Sequence, residues 1–187
     1  MNDISRARGA PPEAAIVDGF DAAQIRIADK VVEGVDADSG QHLFGLARRA
    51  GLDDQSAEDA VQETLVRLWI EVRSGTDVLD PAAWSFRTLY RIAMDYHRLR
   101  RRVSELVERI GRRPLHPVGD SLEHMTVWSL VDQLPLRQRQ VMYLRYRADL
   151  TFEEIGLIMA ITASGARAHA AKAKTSLRRS LGAEVVD

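Results

Sequence analysis

Leu134-Pro135-Leu136-Arg137-Gln138-Arg139-Gln140-Val141-Met142-Tyr143-Leu144-Arg145-Tyr146, continued by Arg147-Ala148-Asp149-Leu150 and then Thr151-Phe152-Glu153-Glu154-Ile155-Gly156-Leu157-Ile158-Met159-Ala160-Ile161-Thr162, decides the fold. Proline suits the first turn of a helix, where its missing amide is no loss, so Pro135 marks a start. Val141, Leu144 and the Tyr146 ring then share one helical stripe. The polar run Arg147-Ala148-Asp149 breaks that helix. Thr151 is an N-cap with Glu154 three residues on, the capping-box spacing, and Phe152, Ile155, Ile158 and Met159 give a second helix its apolar face. Ala160-Ile161 is a tight connection and Thr162 can cap again. Ala163 to Leu181 is then helix-compatible, with Arg167, Lys172, Lys174, Arg178 and Arg179 and no acidic residue. Two short helices, a turn of about three or four residues and a basic second helix make the helix-turn-helix pattern for DNA.

Periodicity alone also permits an ordinary three-helix bundle whose last helix is only solvated by lysine and arginine. The run Leu134-Pro135, Arg139, Val141, Leu144-Arg145-Tyr146, Leu150 to Ile155 and Met159 to Thr162 resembles the promoter-reading C-terminal domain of bacterial sigma factors, most of all the small two-domain extracytoplasmic-function group. Related domains also occur in response regulators, so this half alone leaves the function open. Resembling sequences carry bulkier or polar residues where this chain has Gly165, Ala168, Ala170 and Ala171, and a glycine is common at Ala160. By position in the motif, Ser164, Arg167, Ala168 and His169 face the groove of an upstream promoter element, while Lys172, Lys174, Arg178 and Arg179 lie farther along, toward phosphates or solvent.

The chain has 187 residues, room for one medium domain or two small ones, and its 45% hydrophobic and 28% charged residues are ordinary for a soluble globular protein. It contains no cysteine, which excludes disulfides and thiolate metal sites. No apolar run approaches the length that crosses a bilayer, and Met1 to Gly19 lacks the apolar core of a signal peptide, so a cytoplasmic location is expected. The formal charge of -1 hides a division: residues 1–80 hold 16 acidic and 8 basic side chains, residues 81–187 hold 11 and 18. Such asymmetry suits one surface for a protein partner and another for nucleic acid.

Residues 1–38 read as an N-terminal extension, with a flexible leader at Gly9-Ala10-Pro11-Pro12 and one amphipathic helix permitted from Ala22 to Val35 by Ile25, Ile27, Ala28, Val31 and Val32. From Gln41, the residues Leu43, Phe44, Leu46 and Ala47 make a short helix that stops near Gly51. Ser56 is a plausible N-cap for the next helix, on which Ala57, Ala60, Val61, Leu65, Leu68, Trp69 and Val72 recur at three- and four-residue spacing. The opposite side carries Glu58, Asp59, Gln62, Glu63, Arg67 and Glu71. On an arbitrary helix it would be a solvated face, but Ala57 to Leu65 with Leu68-Trp69 is similar to the helix by which sigma factors grip the clamp helices of RNA polymerase. The resemblance therefore implies polymerase binding by Glu58, Asp59, Gln62, Glu63 and Arg67.

Asp80-Pro81 is a capping aspartate followed by proline at the first helical position. The helix it starts interleaves Trp84, Phe86, Leu89, Tyr90, Ile92, Met94 and Tyr96 with arginines. Bases freed from a duplex stack on aromatic rings or guanidinium planes while cations track phosphates, so this composition suits single-stranded DNA. Trp84, Leu89, Ile92 and Ala93 also serve a core. Pro81 to Trp84, Arg87, Ala93 to Asp95 and Arg98 resemble the promoter-melting helix of the same family, which implies contacts to the downstream element from Trp84, Arg87, Tyr90, Arg91, Arg98 and Arg101. Arg91, where asparagine is common, and Ser85, where an apolar residue is usual, depart from that pattern.

Two prolines and two glycines between Gly111 and Gly119 mark a linker over residues 105–120. A helix capped by Asp120 or Ser121 and running through Met125, Val127, Trp128, Leu130, Val131 and Leu134 would then open the last domain. The five histidines are scattered without metal spacing, and no phosphate loop or nucleophile signature occurs, so neither an enzyme nor a cofactor or metal is expected. The expected protein is all-α: an extension (1–38), a polymerase-binding and promoter-melting domain (39–104), a flexible linker (105–120) and a helix-turn-helix domain (121–187). The resemblance implies a sigma factor partnered by core RNA polymerase, promoter DNA and an anti-sigma protein. A stand-alone helix-turn-helix regulator would leave the first domain unexplained, and a protein-binding decoy would leave the basic faces unused.

Overall fold

The computed structural model describes residues 22–109 and 127–184, and among them every regular element is a helix. The leader, most of the linker and the cap at Asp120 or Ser121 lie outside the described residues. The elements are α1 (Ala22–Arg49), α2 (Asp54–Arg73), α3 (Pro81–Arg109), α4 (Val127–Asp132), α5 (Leu136–Tyr146), α6 (Phe152–Met159) and α7 (Ala163–Glu184).

The first correction concerns α1, which is one helix where the sequence suggests two. Gly34 and Gly40 and the polar run around Asp36 favour a break, since a helical glycine costs roughly 0.5–1 kcal/mol against alanine. Burial outweighs that cost: Ala28, Val35, Leu43, Leu46 and Ala47 form an uninterrupted helical stripe, and leucines such as Leu43 and Leu46, both fully buried, contribute about 1.5–3 kcal/mol each. The stripe packs along α2, antiparallel, with Trp69 Nε1 donating to Asp29 Oδ1 at 2.8 Å at one end and Arg48 Nε 2.7 Å from Asp54 Oδ1 at the other. Gly51, with φ of 94°, makes the turn between them. The boundary expected between residues 38 and 39 thus falls inside a helix.

Asp53, and not Ser56, caps α2: its Oδ1 accepts from the Ser56 amide at 2.8 Å, leaving Ser56 in the first turn. Asp80 caps the start of α3 as expected, accepting from the Ala83 amide at 2.9 Å. α3 continues past residue 104, to Arg109. Ser85 is fully buried, and its hydroxyl turns back to the Pro81 carbonyl at 2.7 Å, so the departure at this position is internal to the helix.

In the second unit, Pro135 is the residue before α5 and contributes no side-chain cap. Val141 and Leu144 are buried, but the Tyr146 ring is 45% exposed and lies 5.3 Å from Lys174 Nζ, which corrects the single stripe drawn for the three. Thr151 and Glu154 form the capping box at α6. Leu130, Val131, Leu134, Met142, Ala173 and Leu177 close a small core among α4, α5 and α7. A larger core joins α1, α2 and α3 to Val141, Tyr143, Leu144, Ile155, Ile158 and Met159, so the two units pack on each other.

Candidate nucleic-acid interface

Burying Ala57, Ala60, Val61, Thr64, Leu68 and Val72 turns the other side of α2 outward. Glu58, Asp59, Gln62, Glu63 and Arg67 are all exposed there, with Arg67 Nη2 2.6 Å from Glu63 Oε1. Val66 and Ile70, at 56% and 54% exposure, complete this face and were missed by the sequence reading, which sorted α2 only into apolar-inside and polar-outside. Their signal was present, since Val66 and Ile70 fall four apart and in line with Gln62. An acidic face with an aliphatic centre fits a protein partner better than DNA, because buried apolar area supplies affinity and the rim charges steer the approach.

The cleft beside that face, about 280 Å³, is lined by Arg67, Ile70, Glu71, Trp84, Thr88 and Arg91. It brings Trp84 and Arg91 together, an aromatic face and an exposed cation within one concavity of α2 and α3. Arg98 is exposed and 3.3 Å from Asp95, and Ser56 Oγ donates to the Tyr96 hydroxyl at 3.1 Å, tying α3 to α2. Arg87 is half-buried. The Arg101 side chain lies outside the described residues. Tyr90 is placed elsewhere: it is 5% exposed, its hydroxyl accepts from Arg137 Nη1 at 2.7 Å, and burial pushes its pKa up. In this arrangement it is not available to a base.

The connection between α6 and α7 is tight. Ala160 takes a left-handed conformation (φ 52°), and a Cβ on Gly156 would stand 2.8 Å from the Ile161 carbonyl oxygen, so only glycine lets the turn close this near α6. Thr162 Oγ1 accepts from the Gly165 amide at 3.0 Å and fixes the start of α7. Ala166, Ala170, Ala173 and Leu177 face inward. Ser164, Arg167, Ala168, Lys172, Lys174, Arg178 and Arg179 are exposed, and His169 is half-buried at the edge of that face. Arg167 is held by an ion pair to Glu153 and lies 5.5 Å from the Phe152 ring centroid, so both helices of the motif position it. A guanidinium fixed at the exposed start of a helix is what bidentate reading of a base edge requires. Among the described residues no acidic or histidine cluster could hold a metal ion, and no helix is long and apolar enough to cross a membrane.

Comparison with known proteins matches the two helical units separately. Residues 38–103 match the family model described as Sigma-70 region 2, and residues 130–179 match Sigma-70, region 4. No curated protein matches the chain. Among solved structures, the fold is similar to CnrH, seen in complex with the cytosolic domain of CnrY (TM-score 0.55, 22% identity, 86% of this chain and 98% of that one). It is also similar to the sigma factor RpoE, seen with the anti-sigma factor NepR from Bartonella quintana (TM-score 0.57, 19% identity, 84% and 95%).

Proposed function

The chain belongs to the sigma-70 family, carrying that family's regions 2 and 4 in order, and on that premise we propose how its surfaces share the work of starting transcription. As a sigma factor it binds core RNA polymerase, directs it to specific promoters and helps open the DNA, an initiation factor and not a catalyst. The observation that carries the function is the pairing of both regions on one all-helical chain. A stand-alone helix-turn-helix regulator would account for residues 130–179 alone.

The polymerase grip is assigned to Glu58, Asp59, Gln62, Glu63 and Arg67, with Val66 and Ile70 as its apolar centre. The support is their shared exposure on α2, away from the core. Downstream-element and melting contacts are assigned to Trp84, Arg87, Arg91, Arg98 and Arg101, and to Tyr90 once it is uncovered. The upstream element is assigned to Ser164, Arg167, Ala168 and His169, with Lys172 on phosphate. The two working domains are assigned to residues 39–104 and 121–187, with α1 carrying the end of the extension 1–38 into the first and α3 running from it into the linker 105–120. The place of work is the cytoplasm, where polymerase is. RpoE in complex with NepR supports a further partner, a protein of the anti-sigma kind.

The test is promoter-dependent transcription by purified core polymerase with and without the chain, repeated with Asp59→Ala, Gln62→Ala and Glu63→Ala combined. The chain should be required for transcription, and the triple variant should lose core affinity while its melting temperature holds, since exposed side chains contribute little to folding. DNA binding without any dependence on polymerase would replace this reading with the stand-alone regulator.

A further inference from the structure

The two adjacent glutamates in the first turn of α6 are put to different uses. Glu154 turns back into the cap, its Oε2 accepting from the Thr151 amide at 2.7 Å and from the Thr151 hydroxyl at 2.6 Å. Glu153 reaches across to α7 and pairs with Arg167, the residue assigned to reading a base. The ring centroid of Phe152 lies 5.5 Å from the same guanidinium and 5.7 Å from that of Arg145, whose Nη1 in turn donates to the Leu150 carbonyl at 3.1 Å. α5, the loop after it and α6 thus form a backing for one side chain of α7. Lys172, Arg178 and Arg179, exposed farther along α7, pair with no carboxylate among the described residues.

We infer that Glu153 is a specificity-determining residue of the helix-turn-helix: although it stands on α6, outside the helix that reads, it positions Arg167 for its base. The inference rests on the assignment of Arg167 to the upstream element. A half-exposed guanidinium on a long stem loses rotamer freedom when it binds, and one already oriented loses less. The carboxylate engages Arg167 through Nη2, and the remaining donors suffice for a two-bond contact with guanine O6 and N7. Folding gives no comparable reason for the pair, because both side chains are more than half exposed and such pairs contribute little to stability. General attraction to DNA gives none either, since an acidic side chain beside the recognition helix repels the phosphates of every sequence. Glu153 therefore weakens binding everywhere while sharpening it at one base pair. Specificity is a difference of affinities, and a repulsive element of this kind enlarges it.

The full chain, bound to core polymerase, is tested on a duplex promoter that the wild type selects from a randomised library, and on every single base-pair change across the upstream element. Glu153→Ala should lower discrimination at the base pair read by Arg167 by about three- to tenfold, part of the roughly 5- to 150-fold that a bidentate contact supplies. Affinity for mismatched sites should rise at the same time. Glu153→Gln keeps an acceptor oxygen at the same reach without the charge, so it should raise general affinity alike and recover part of the lost discrimination. In an Arg167→Ala background, where discrimination at that pair is already gone, Glu153→Ala should leave the ratio unchanged. The readout is a ratio, so a variant that merely folds less well lowers affinity for every sequence and moves no ratio. Wild-type discrimination in Glu153→Ala, or an equal loss with and without Arg167, overturns the inference and leaves Arg167 as the base reader. A Glu153→Gln chain no more selective than Glu153→Ala would make the effect one of charge and overturn it as well. If Arg167→Ala itself keeps the wild-type preference, the assignment of Arg167 fails and takes the inference with it. If the chain and core polymerase select no sequence at all, the sigma-factor reading fails, and the inference with it.

Discussion

Around the turn between α6 and α7, two substitutions in opposite directions should have opposite effects. Gly156→Ala adds a Cβ that would stand 2.8 Å from the Ile161 oxygen, 3.2 Å from the Ala163 nitrogen and 3.4 Å from the Thr162 carbonyl carbon. All three are backbone atoms of the turn, so no side chain can swing aside. Overpacking of this kind costs about 1–3 kcal/mol, against a gain of roughly 0.5–1 kcal/mol from replacing a helical glycine, for a net loss of up to about 2.5 kcal/mol. Ala160→Gly works the other way: the left-handed conformation at φ 52° costs an L-residue roughly 1–2 kcal/mol, of which glycine returns the larger part. Thermal unfolding followed by circular dichroism reads both, at about 2–4 °C per kcal/mol for a chain of this size. Because the clash pushes α7 off α6, Gly156→Ala should also weaken upstream-element binding while leaving affinity for core polymerase alone. A Gly156→Ala protein that melts at or above wild type, or an Ala160→Gly protein that melts below it, would refute the steric account of this turn.

Two further expectations concern the same motif. Arg167→Ala should relax sequence preference at one or two upstream positions, since a bidentate base contact discriminates by about 1–3 kcal/mol. Lys172→Ala should instead weaken every sequence alike with a shallower salt dependence; a panel of single-base promoter changes at two salt concentrations checks the pair, and a uniform loss for Arg167→Ala would reject the assignment. At the α6 cap, hydrogen bonds from the Thr151 hydroxyl and then its backbone amide hold the Glu154 carboxyl below its usual range. A lowered folded value means that this stabilisation is complete above the unfolded value of about 4.3 and is lost as pH falls through the folded one. Thr151→Ala should cost about 1 kcal/mol at neutral pH and weaken that acid dependence without abolishing it, because the residue 151 amide still donates to Glu154; an unchanged acid limb in the variant would place its origin elsewhere.

What the sequence determined by itself was whatever neighbouring residues control. The capping box at Thr151 and Glu154, the Asp80 cap and the outward acidic face of α2 depend on spacings of three or four residues, which a single helix already imposes. The order of the two regions was equally legible, because each carries its own local pattern. What only the tertiary structure decided depends on partners far along the chain. α1 is continuous because α2 buries its stripe across Gly34 and Gly40, an effect no window around those glycines contains. Tyr90 shares a helix and a composition with Trp84, yet Arg137 covers the one while the other lines an open cleft. Gly45 is unremarked as a residue in a helix and becomes necessary only when Tyr143, 98 positions later in the chain, is laid against it. Local hydrogen bonding and periodicity write themselves into adjacent letters, whereas close packing between distant segments is fixed only when the whole chain has been brought together.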